Sequence, residues 1–127
     1  MTEKSVAEKL GLKEGGRLLV MRAPRLVAEL LGPIPKGATV ATEGDETFPL
    51  ILTFAKDYAA LAETLRACTP RLAKGSALWL AYAKGGSKLA TDINRDTIRE
   101  YVTGQGFDTV AQIAIDSDWS ALRLKRV

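Results

Sequence analysis

Phe48-Pro49-Leu50-Ile51-Leu52-Thr53-Phe54 and Ala77-Leu78-Trp79-Leu80-Ala81-Tyr82 are two short, almost uninterrupted apolar runs. Runs of this kind suit strands buried on both faces, as in a parallel sheet covered by helices. Between them Asp57 is placed to cap a helix whose apolar positions are Tyr58, Leu61, Leu65, Cys68 and Leu72. Steps of three and four keep these on one stripe, with Glu63 and Arg66 on the wet side. Thr69-Pro70 restarts or kinks the last turn, and Gly75 is expected to end it. Strand, helix and strand at this spacing make a βαβ unit, which sets the class as α/β.

Working outward to the N-terminus, Ser5-Val6-Ala7-Glu8 reads as a capping box and Gly11 as the close of a short helix. Arg17 to Met21 is a further apolar strand. Pro24 then suits a first helical position, with Leu26, Val27, Leu30 and Leu31 as the apolar face and Gly32-Pro33 as the stop. Ala38 to Thr42 is a short strand, and Glu43 to Thr47 form an acidic loop. A parallel crossover normally needs a dozen residues or more, and this connection has far fewer. Either the second strand is short and the chain sweeps directly across, or the second and third strands pair antiparallel.

Toward the C-terminus, Lys84-Gly85-Gly86-Ser87-Lys88 is a basic loop, and Thr91, Asp92 or Asn94 caps a helix carrying Ile98, Tyr101 and Val102. Asp108 to Ile115 and Ser120 to Val127 alternate as half-exposed strands about a polar turn, Asp116-Ser117-Asp118-Trp119, and form an antiparallel hairpin. The expected architecture is a single three-layer, Rossmann-like domain over residues 1–127, with about six strands, mostly parallel.

Composition excludes several chemistries. The chain of 127 residues holds no histidine and one cysteine, so His-based nucleophile triads, zinc clusters and internal disulfides are ruled out. Cys68, on the apolar stripe, reads as core. No apolar run approaches the roughly 20 residues of a membrane span. The segment from Met1 to Ser5 is polar, and the expected compartment is the cytoplasm. Net charge is +3, with Arg123, Lys125 and Arg126 near the end. No aromatic residues interleave with these, so nucleic-acid binding through the last strand is the weakest of three functional readings. The face carrying Arg123 and Lys125 is either wet or packs across a homodimer.

The helix ending in Gly-x-Gly-Phe, the Leu-Ala-Lys-Gly-Ser-Ala-Leu-Trp-Leu segment and the closing hairpin resemble the later half of a Rossmann-type methyltransferase domain. The chain more closely resembles a family of small bacterial proteins of unknown function that share this core. The matching residues are Ala7 to Leu12, Leu31-Gly32-Pro33, Thr91-Asp92, Asp118-Trp119-Ser120 and Leu122. The resemblance implies an S-adenosylmethionine site but supplies no catalytic residues. Active methyltransferases place a glycine-rich turn after the first strand. Here that turn is Arg22-Ala23-Pro24-Arg25, and one strand-helix unit is missing. Glu43 stands where an acid would hold a ribose hydroxyl.

In open α/β sheets ligands bind beyond the carboxyl ends of the strands, where strand order reverses. That edge is expected to gather Arg25, Glu43, Lys56, Lys84, Lys88, Asp116, Asp118 and Trp119, a mixture suited to a small anionic ligand. Helix N-termini after Pro24 and Asp57 would add partial positive charge. Against this, Asp116 and Asp118 suit the backbone hydrogen bonding of a turn, and Trp119 suits packing over the hairpin, with Tyr82 as the expected neighbour. The leading reading is a degenerate domain, without catalysis of its own, that binds a small ligand or a protein partner. The alternative is a minimal S-adenosylmethionine-dependent methyltransferase.

Overall fold

The computed structural model describes residues 4–127, so the start of the polar N-terminal segment, Met1 to Glu3, lies outside the described residues. The strands are β1 (Arg17–Met21), β2 (Thr39–Ala41), β3 (Phe48–Phe54), β4 (Leu72–Ala83), β5 (Phe107–Ala114) and β6 (Trp119–Arg126). They form one six-stranded sheet in the order β2-β1-β3-β4-β6-β5. β1 pairs in parallel with β2 and β3, and β3 with β4. β6 runs antiparallel to both β4 and β5, which closes the sheet as the expected hairpin.

The open question about the second and third strands resolves through β1. β2 and β3 never meet, because each flanks β1, and Val40 and Leu50 both stand opposite Leu18. The second strand is only three residues long, and the chain sweeps directly across. The acidic connection is pinned from both sides of its path. Arg17 reaches Glu46 at 3.3 Å, while Arg71 donates to the Gly44 carbonyl and to Asp45.

Helices α1 (Val6–Leu10), α2 (Val27–Leu31), α3 (Tyr58–Cys68) and α4 (Arg95–Thr103) cover the two faces. α1 and α2 close one apolar cluster with Leu18, Val20, Leu52, Trp79 and Ala81. α3 and α4 close the other with Leu19, Ile51, Leu78, Leu80 and Leu122. The alternation of side chains along each central strand feeds both clusters, which is why these strands read as continuous apolar runs.

The caps follow the local chemistry of the sequence. Ser5 and Glu8 satisfy each other's backbone donors, and Gly11 ends α1 at φ 101°. Asp57 accepts the Ala60 amide at 2.9 Å, and Asn94 caps α4. Cys68 is fully buried, and burial pushes its thiol pKa up.

Four expectations are corrected. α2 begins at Val27, leaving Pro24 in the preceding bend, and its N-cap Leu26 makes no side-chain hydrogen bond. A single turn and a half offers no developed dipole, so the expected positive helix end after Pro24 is absent. Thr69–Arg71 is a 3-10 turn that leads straight into β4, so Leu72 and Gly75 lie in a strand. β6 is buried continuously from Trp119 to Leu122, on both faces, because α1's side and α4's side both close over it.

Candidate functional site

Chain order reverses at β1, which sends its successor β2 to one side while β3 takes the other. Such a switch point leaves a crevice beyond the carboxyl ends of the two strands. A cleft of about 430 Å³ lies there. That size falls within the usual range for small-molecule sites. Its apolar walls are Phe54, Trp119, Pro24 and Leu89, and its polar groups are Arg22, Lys56 and Thr91. Phe54 and Trp119 meet edge to face, with ring centroids 5.2 Å apart. Trp119 therefore packs on Phe54, not on Tyr82, whose side chain belongs to the opposite face of the sheet.

The strap from Lys84 to Asn94 is folded over this end of the sheet by its own side chains. Ser87 donates to Asp118 at 2.7 Å, and Thr91 donates to the Lys56 carbonyl at 2.6 Å. Asp92 accepts the Tyr58 amide at 2.8 Å. With Asp57 on Ala60, two carboxylates already serve the first turn of α3.

The hairpin turn is equally engaged. Asp116 accepts the amides of Asp118 and Trp119 at 2.8 and 2.9 Å, which is the turn chemistry its position suggests. It also meets Arg25 at 2.6 Å. Burial alone would raise the Asp116 pKa, but the two amides and then Arg25 outweigh it and hold the carboxyl below its ordinary range.

The candidate residues thus divide. Lys56 and Trp119 line the cleft. Arg25 and Asp118 are committed to Asp116 and Ser87 at its rim. Lys84 lines a separate shallow depression with Tyr82, Asn94 and Gln112. Glu43 and Lys88 are exposed and line neither hollow. Arg22, Phe54, Leu89 and Thr91 line the cleft without having been among the expected site residues. Leu89 alone carried a signal, as an apolar residue in a polar loop.

The backbone at Arg22 departs from expectation in an informative way. Its φ is 59°, and it is the sole non-glycine residue at positive φ among the described residues. The turn after β1 has no glycine but adopts at Arg22 the left-handed conformation that glycine serves.

No family model and no curated protein matches the chain. Solved structures do match. An S-adenosylmethionine-dependent methyltransferase from Aquifex aeolicus superposes with a TM-score of 0.61 at 12% identity, covering 94% of this chain and 87% of its own. A ribosomal protein L11 methylase from Lactobacillus delbrueckii subsp. bulgaricus gives 0.60 at 8% identity, covering 94% and 74%. A glycopeptide N-methyltransferase in complex with S-adenosylmethionine gives 0.57 at 12% identity, covering 88% and 82%. At these identities the likeness is one of fold. The chain has the Rossmann-like architecture of S-adenosylmethionine-dependent methyltransferases. No helix among the described residues is long and apolar enough to cross a membrane.

Proposed function

We propose that this chain binds an S-adenosyl nucleoside across the carboxyl edge of its sheet and acts as a small S-adenosylmethionine-dependent methyltransferase. The observation that carries the reading is the left-handed backbone of Arg22, at the end of β1 and on the wall of the cleft. Holding a side chain in that conformation costs about 1–2 kcal/mol. Strain of this kind persists where the surrounding structure enforces it, and it clusters at ligand sites. The structural neighbours, one described as S-adenosylmethionine-dependent and another complexed with S-adenosylmethionine, support the same direction.

The residues present fit such a group. Glu43, exposed beyond β2, would accept ribose hydroxyls, and Lys56 would hold a carboxylate. Phe54, Trp119, Pro24 and Leu89 would exclude water from the reacting end. The bound cofactor would supply an electrophilic methyl group. Native mass spectrometry with S-adenosylhomocysteine tests the reading. One adduct per chain, weakened by Glu43→Ala and Lys56→Ala, supports it, and no adduct at millimolar ligand retires it.

A second reading, a non-catalytic domain for a small anionic ligand or a protein partner, is favoured by one observation. Arg25 is engaged by Asp116 and is not free for a cofactor. Under that reading the protein carries a co-purified anion that S-adenosylhomocysteine does not displace.

A further inference from the structure

At the opposite end of the sheet, independent of the cleft, lies a cavity of about 720 Å³. It is a fork between two strands. β4 and β6 pair from Ala83 and Trp119 down to Leu78 and Leu124. Both strands continue, β4 back to Leu72 and β6 on to Arg126, without meeting again.

The divergence is built into β4. Leu72 stands opposite Phe48, but the next aligned residue is Ala77, opposite Leu50, so residues 73–76 make an excursion. Ser76 fixes it by accepting the Ala73 amide at 2.8 Å and donating to the Phe48 carbonyl at 2.7 Å. β6 stays with β5 instead, and the Val127 amide donates to the Gly106 carbonyl on that side. Successive residues of an antiparallel strand turn their peptide groups to opposite sides. Arg126 therefore offers its amide and carbonyl to the fork, where β4 has departed.

Charge in the fork is one-sided. Lys74 stands on one wall and Arg123, Lys125 and Arg126 on the other, with no acidic side chain among the lining residues. None of the four makes an ion pair among the described residues. Asp108, opposite Lys125 in register, is the neighbouring acid on β5. Val110 and Val127 are exposed apolar elements of the lining, above the buried Leu78 and Leu124.

We propose that this fork takes an extended acidic peptide segment of a protein partner, strand-paired to the free amide and carbonyl of Arg126 at the end of β6. An unpaired strand edge is a template for such addition. The partner's acidic side chains meet the exposed cations of the fork, and its apolar side chains meet the exposed Val110 and Val127. A single-stranded nucleic acid would meet the same cations but needs open aromatic faces for its bases. Phe107, the aromatic residue of the lining, is buried beneath the Arg126 guanidinium, 5.8 Å from its ring centroid.

The test is fluorescence anisotropy of a labelled alternating glutamate–valine peptide titrated with the full chain. Binding is expected to weaken about tenfold in the double variant Arg123→Glu, Lys125→Glu. Arg99→Glu on α4, away from the fork, should leave it unchanged. Methylating alternate peptide nitrogens of the probe should weaken binding as well, since it keeps the charge and removes the strand donors. Circular dichroism and urea midpoints establish that the variants fold. The proposal is overturned by any of three results: no binding, equal binding of the N-methylated peptide, or tighter binding of oligouridylate with the same dependence on Arg123 and Lys125.

Discussion

Arg25 and Asp116 lie 91 residues apart in the chain and meet at 2.6 Å. The contact joins the loop after β1 to the turn between β5 and β6, so the two rims of the cleft are held by one ion pair. Arg25 is substantially exposed, with 42% of its side chain open, whereas Asp116 is mostly covered. Most of the value therefore lies in the two backbone amides that Asp116 also accepts, and the ion pair adds a few tenths of a kcal/mol.

Replacing Asp116 with Asn should lower stability by roughly 1–2 kcal/mol, through weakened amide caps and loss of the charge. The folded chain holds this carboxyl ionised more firmly than the unfolded chain does. Its contribution is complete above the unfolded carboxylate value of about 4 and fades as pH falls through the lower folded value. Urea midpoints of the two proteins should differ at neutral pH and converge in acid. A difference that stays constant down to acid refutes the role of ionisation.

Arg22 gives a second test, separate from ligand binding. Arg22→Ala keeps a side chain in the left-handed region and loses the 3.2 Å pair with Glu63. Arg22→Gly loses the same pair but relieves the backbone. The glycine variant should be more stable than the alanine variant by about 1 kcal/mol. Equal midpoints would mean that the loop rearranges once the arginine is gone.

Thr64 is buried in α3, and its hydroxyl finds no partner among the described residues. Valine has nearly the same shape and no polar atom to leave unsatisfied. Thr64→Val should raise stability by about 1 kcal/mol. Thermal unfolding reads this directly, and a lower melting temperature would show that the hydroxyl is paired in solution.

The fold was legible because local and long-range signals agreed in the central unit. The runs at Leu50 to Phe54 and Leu78 to Tyr82 are buried on both faces, and Asp57 caps the helix between them. The start of α2 was misread because Pro24 satisfies the local rule for a first turn while the left-handed Arg22 bends the chain away beforehand. The site was less legible for a similar reason. Phe54, Leu89 and Trp119 become neighbours only when three distant segments converge, and nothing in their spacing encodes that. Glu43 and Lys88 were placed at the site by position along the chain, and both are exposed and outside the lining of the cleft.

The two sides of the sheet are covered unequally. α1 and α2 have five residues each, against eleven and nine in α3 and α4. Helices of one to two turns do not persist without their contacts. The thin layer is anchored where the Trp79 indole donates to the Leu10 carbonyl at 2.9 Å. Segments of this kind open locally at a free energy well below that of the whole domain. Pro24, on the approach to α2, forms one wall of the cleft, while Phe54 and Trp119 sit on the sheet itself. The cleft therefore has one wall carried by the sheet and one carried on the approach to the thinner layer.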